Sequence, residues 1–189
     1  METINILLSG LGGQGILFMT RILAQAALDK GFNVMCAETH GMAQRGGSVI
    51  SHLRLGDVKG SLVRTGSAHL LLALEENEAY RNLSFLSRGA RIYVNTDPPH
   101  FPREEIKDFL EKRAIIYRAT PAGTIARELD APLSSNLALL GYYSAYGEGP
   151  VNNEELRKTI EKTSPDQFKE INLNVFDAGL ERGAEERRG

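Results

Sequence analysis

Hydrophobic positions along this chain alternate between two rhythms, compact apolar runs and stretches with one apolar face every three to four residues. Residues 4–8 form an apolar run closed by glycine, the pattern of a strand buried on both faces. Behind it Ile16, Met19, Leu23 and Ala26 recur at helical spacing, and Gly31 supplies a stop. Residues 32–38 read as a second strand and residues 48–56, SVISHLRLG, as a third. In that third strand a period of two places Val49, Ser51, Leu53 and Leu55 on one face and Ser48, Ile50, His52 and Arg54 on the other.

The same alternation continues downstream. Residues 69–75 predict a strand, 77–86 a helix and 90–97 a strand; Pro98, Pro99 and Pro102 then open a helix that runs to Lys112. Residues 114–120 return as strand, with Thr120 and Pro121 as N-cap and first-turn proline of a helix to about Leu129. An apolar helix over 134–147 follows, and two capping-box spacings, Asn152 with Glu155 and Ser164 with Gln167, start two closing helices. The fold class expected is α/β: a Rossmann-like three-layer sandwich with a mostly parallel sheet, closed by C-terminal helices. One domain covers residues 1–180, and residues 181–189 are expected to fray.

Composition narrows the classes of function. The 189 residues carry 42% hydrophobic and 24% charged side chains, enough for one well-filled core. A formal net charge of −2 provides no general attraction to nucleic acid or to an anionic membrane, and neither partner is expected. The N-terminus has no basic region ahead of its short apolar run, so the reading is a cytoplasmic protein without signal peptide or membrane span. The one cysteine, Cys36, excludes both an internal disulfide and a cluster held by four cysteine thiolates of this chain. Flanked by apolar residues in a strand, it reads as a small core residue. His69 and His100 have no partner at ligand spacing, and no metal site is expected.

Chemistry concentrates in two glycine-rich segments. GLGGQG, residues 10–15, lies between the first strand and the first helix and fits GxGxxG with Gly10, Gly12 and Gly15. Glycines there allow a tight turn that brings helix N-terminal amides against an anion, and Glu38 imitates the acidic residue that binds a ribose. Against a dinucleotide stands THGMAQRGG, which is too short and too rich in glycine for the crossover a parallel third strand needs. It reads instead as an irregular functional loop carrying His40, Gln44 and Arg45 beside Gly46 and Gly47. Arg45 is either a solvated surface charge or, beside exposed amides, a receptor for carboxylate or phosphate. His52 and Arg54 either face water or line a surface shared with a ligand or another subunit.

LSGLGGQGI followed by AETHGMAQRGGSVISHLRLG resembles the beta subunits of indolepyruvate:ferredoxin oxidoreductases, within the 2-oxoacid:ferredoxin oxidoreductase superfamily. The likeness extends through SSNLALLG over most of the chain. Gamma subunits of the pyruvate and 2-oxoglutarate enzymes share the GGQG turn and remain an alternative, as does a stand-alone dinucleotide-binding protein. The resemblance implies oxidative decarboxylation of an arylpyruvate with coenzyme A to an aryl-acetyl-CoA and carbon dioxide, with electrons passed to ferredoxin. It places thiamine diphosphate, magnesium and 4Fe-4S clusters on a larger alpha subunit, leaving no catalytic residue in this chain, which alone would be inactive and could self-associate. Carried over, Gly12, Gly13, Gln14, Gly15, Arg45, Gly46 and Gly47 would form an anion-binding mouth for coenzyme A, with Ser51 and His52 in its wall or at the subunit interface.

Overall fold

The computed structural model describes residues 2–41 and 46–189. The described elements alternate as expected: β1 (Ile4–Leu11), α1 (Ile16–Asp29), β2 (Val34–His40), β3 (Ser48–Leu55), β4 (Ala68–Ala73), α2 (Glu76–Arg81), β5 (Leu86–Asn95), α3 (Glu104–Lys112) and β6 (Ile116–Thr120). Four helices follow, α4 (Ala122–Glu128), α5 (Ser135–Ser144), α6 (Asn153–Thr163) and α7 (Asp166–Arg188). The strands form one sheet in the order β2-β3-β1-β4-β5-β6. β1, β4, β5 and β6 pair in parallel, whereas β3 is antiparallel to both β1 and β2. A segment too short to cross the sheet can only turn back, so the second strand is followed by a hairpin. The returning strand inserts between β1 and β2, the place a Rossmann half reserves for direct pairing.

Helices cover both faces. On one, Ile6, Leu8, Leu53, Leu70 and Tyr93 pack against α1, α4, α5, α6 and α7. On the other, Leu7, Leu71, Ile92 and Val94 meet residues of α2 and α3, with Val63 and Phe101. α5 is buried along nearly its whole length, and it meets α7 backbone to backbone. A Cβ on Gly141 would lie 2.0 Å from the carbonyl oxygen of Phe176, and one on Gly179 would lie 2.0 Å from that of Ala138.

Several local expectations are corrected. The box at Asn152 forms in both directions, with Glu155 N–H donating to Asn152 Oδ1 at 2.9 Å and Asn152 N–H to Glu155 Oε2 at 2.7 Å. Its counterpart at Ser164 does not form, because Ser164 Oγ accepts from buried Asn172 Nδ2 at 3.0 Å and Pro165 takes the cap position. Thr120 ends β6 with its hydroxyl buried and makes no cap; Pro121 precedes α4 instead. Cys36 is exposed, since β2 is an edge strand that the helices leave largely uncovered. Residues 181–188, expected to fray, continue α7, where Tyr142 donates to Glu186 at 2.6 Å and Arg187 to the Ala145 carbonyl at 3.1 Å.

Candidate functional site

Both glycine bends lie at the C-terminal end of β1, the end of a parallel sheet where ligands gather. In the first, Gly13 (φ 95°) and Gly15 (φ 76°) adopt the left-handed conformation that other residues rarely tolerate. Gln14 folds back over the turn: its Oε1 accepts from Leu11 N–H at 2.7 Å and its Nε2 donates to Glu75 Oε1 at 2.6 Å. Gly10 makes room for that fold, because a Cβ there would stand 2.8 Å from Gln14 Oε1. Asn136, at the start of α5, donates to the Gly15 carbonyl at 3.0 Å, and a Cβ on Gly15 would strike its amide at 2.5 Å.

The second bend joins the first directly. Gly12 N–H donates to the Gly47 carbonyl at 2.9 Å, which continues the β1–β3 ladder one rung past Leu11 and Ser48. Gly46 is left-handed at φ 64°, and Ser48 anchors the bend by donating to Glu78 Oε1 at 2.7 Å. Buried Glu78 is in turn held by Arg81 at 2.6 Å. One segment, residues 75–81, thus braces both bends from behind.

On the opposite side opens a cavity of about 470 Å³ with Gly12, Gly13, Gly15, Phe18, Arg21 and His40 among its lining residues. The first α1 amide with an acceptor in the turn below is that of Met19, bonded to the Gly15 carbonyl at 3.0 Å; the earlier first-turn amides lack such partners. No acidic residue stands in the first turn of α1 to compete with a ligand. Arg21, one turn beyond exposed Leu17, makes no ion pair with any described residue. His40 lies 3.6 Å from Glu38, two positions earlier along the same face of β2. Amides at a helix start, one unengaged guanidinium and walls from Leu11, Ile16, Leu17 and Val49 suit a ligand with an anionic head and an apolar arm.

The residues expected at the mouth divide into groups. Gly12, Gly13, Gly15, Gly46 and Gly47 come together at the surface. Gln14 is adjacent, but its amide is committed to bracing the turn rather than turned to a ligand. Gln44 and Arg45 lie outside the described residues. Ser51 and His52 do not line the cavity. Ser51 is fully buried and its hydroxyl has no partner among the described residues. His52, 4% exposed, faces the opposite layer, accepts from Val63 N–H at 3.2 Å through Nδ1 and packs edge-on against Phe85. Burial holds its pKa below the ordinary 6.5, so the ring is neutral packing. Sequence reasoning missed Arg21, Glu75, Glu78 and Asn136. Only the i, i+3 spacing of Glu78 and Arg81 and the asparagine within SSNLALLG hinted at them.

Residues 5–182 match the family model described as Pyruvate ferredoxin/flavodoxin oxidoreductase. The indolepyruvate oxidoreductase subunit IorB of Methanothermobacter thermautotrophicus is 37% identical, covering 96% of this chain and 98% of its own. Pyruvate oxidoreductase subunit PORC of Thermotoga maritima superposes with a TM-score of 0.72 at 25% identity, over 98% of this chain and 97% of that one. The 2-oxoglutarate:ferredoxin oxidoreductase of Magnetococcus marinus, solved with 2-oxoglutarate, coenzyme A and succinyl-CoA bound, shares the fold. Its TM-score is 0.78 at 19% identity, over 98% of this chain and 32% of that longer one.

Proposed function

The chain belongs to the pyruvate ferredoxin/flavodoxin oxidoreductase family and is a subunit of an oxidoreductase of the indolepyruvate type; from that premise we propose that its two joined bends receive coenzyme A. The observation carrying this reading is the Gly12–Gly47 hydrogen bond, which fuses the bends into one surface above the start of α1. Coenzyme A offers phosphates for the α1 amides and Arg21, and a pantetheine arm for the apolar walls. Gly12 keeps the mouth open: a Cβ there would stand in van der Waals contact with the Gly47 carbonyl at 3.8 Å and with Gly46 N at 3.9 Å, narrowing the gap between the bends without a clash. Arg45, outside the described residues, is carried into this proposal as a further cation for the phosphates. Ser51 and His52 serve from within the sheet by fixing the register of β3.

The remaining cofactors belong to a larger partner subunit. Among the described residues no group of three or more His, Cys, Asp or Glu side chains is placed to hold a metal ion, and the sequence has one cysteine. One cysteine does not fit an iron–sulfur cluster, and the sequence carries no GDG-type motif for magnesium–thiamine diphosphate. Decarboxylation and electron transfer to ferredoxin are accordingly the partner's chemistry, and this chain's share is to hold and orient the acyl acceptor. An exposed, unpaired thiol agrees with a reducing, cytoplasmic setting. Co-expression with the larger subunit tests the assignment by arylpyruvate-dependent dye reduction. Arg21→Ala and Arg45→Ala should each raise KM for coenzyme A several-fold while leaving that for the 2-oxoacid alone. An unchanged KM for coenzyme A in both variants would refute the site.

A further inference from the structure

β2 is the outer strand of the sheet, and the hydrogen-bond register identifies which of its backbone groups are free. Gly41 N–H donates to Ser48 O at 2.7 Å and Gly56 N–H to Asn33 O at 2.9 Å, on the same register that pairs Val34 with Leu55 and His40 with Val49. Antiparallel ladders alternate, so odd-numbered residues of β2 bond to β3 and even-numbered ones turn their amides and carbonyls outward. The β1 side of β3 agrees, since the Gly12–Gly47 bond engages odd-numbered β3 residues there. Val34, Cys36, Glu38 and His40 therefore present four N–H and four C=O groups to the free edge.

That edge has few of the usual protections beyond the charge of Glu38. It has no proline, no lysine and no bulge in its pairing, and it carries Val34, exposed Met35 and Cys36, and Ala37 in succession. α1, which packs alongside, leaves Leu17 45% and Leu28 50% exposed. The strand ends at His40, which lines the glycine cavity together with Leu17.

We propose that the free edge of β2 is the docking site for an extended segment of the larger partner subunit, added as a seventh strand with apolar residues opposite Val34 and Cys36 and a basic residue opposite Glu38. Charge decides between this occupant and a second copy. The self-pairing that satisfies all eight groups is centred on Ala37, which sets each Glu38 opposite a Cys36 and each His40 opposite a Val34. Among the described residues, each carboxylate then has beside it only His40 of its own strand, 3.6 Å away, and, diagonally, the other copy's Glu38, a like charge. A partner strand with lysine or arginine at that rung supplies a cation instead, and its far end closes the cavity beside His40. The inference rests on the reading of this chain as one subunit of a complex.

The natural cysteine serves as the probe. In the co-purified complex, maleimide labelling of Cys36 should slow at least tenfold relative to the isolated chain. Amide exchange at Val34, Cys36, Glu38 and His40 should slow with it, and Glu38→Lys should weaken assembly about tenfold. Co-purification with an edge that labels and exchanges as fast as in the isolated chain would overturn this proposal and leave the subunit reading standing. Failure to co-purify would overturn both. Concentration-dependent protection of the isolated chain that persists unchanged in the complex would assign the edge to a second copy and equally overturn it.

Discussion

Glycine serves opposite ends in two regions of this molecule. Where α5 crosses α7, Gly141 and Gly179 let two backbones touch, and the space a side chain would need is already filled by carbonyls of the facing helix. At the mouth, a Cβ on Gly12 would only touch the Gly47 carbonyl at 3.8 Å, one on Gly13 would meet nothing within 4 Å, and the space beyond is available to a ligand. Between these extremes stands Gly15, whose backbone must be left-handed and whose missing Cβ is replaced by the amide of Asn136. The same residue type thus closes one region and opens the other, and only three-dimensional context separates the roles.

Substitution by alanine breaks this comparison apart. Gly141→Ala, or Gly179→Ala, should be the most severe, costing on the order of 3 kcal/mol or more and leaving little soluble protein, because neither helix can yield without the other. Denaturant midpoints or soluble yield would read this out, and a near-native midpoint would show that the crossing is looser than its geometry states. Gly15→Ala should cost about 1–3 kcal/mol through backbone strain and the Asn136 clash together. A double-mutant cycle with Asn136→Ala separates the two, and coupling near zero would dismiss the clash.

A pH titration sharpens the contrast from inside the sheet. The folded pKa of His52 lies below 6.5, so the unfolded chain takes up its proton more readily. Its contribution to stability is complete above about pH 6.5 and is lost as the pH falls below that value. His52→Gln should flatten that slope, and an unaltered slope would assign the acid sensitivity elsewhere. Smallest of all in stability, Gly12→Ala should change unfolding by no more than about 0.5 kcal/mol. It should nevertheless raise KM for coenzyme A several-fold in the assembled enzyme, and a stable variant with unchanged KM would show that the mouth does not need that opening.

Much of this architecture is legible from local pattern because it is locally caused. Apolar runs and helical stripes are set by which residues can be buried, and the shortness of THGMAQRGG forbids a parallel crossover whatever the remaining chain does. The braces are a different matter. Gln14 meets Glu75 across 61 positions and Asn136 meets Gly15 across 121, and no periodicity encodes such meetings. Cys36 and His52 mislead for a related reason. An apolar strand at the rim of a sheet reads like one at its centre, and a histidine on the polar side of an alternating strand reads as facing water, a ligand or another subunit until Val63 and Phe85 cover it.

The rung that joins Gly12 to Gly47 belongs to the same ladder that pairs Ile4 with Leu55. Slipping β3 by a single residue would drive Arg54 and His52 into the layer that now holds Leu53 and Leu55, and would part the glycines at the same stroke. Recognition and correct threading are thereby made one event: a misassembled copy carries no receptor to offer, so faulty molecules remove themselves from service without a separate inspector.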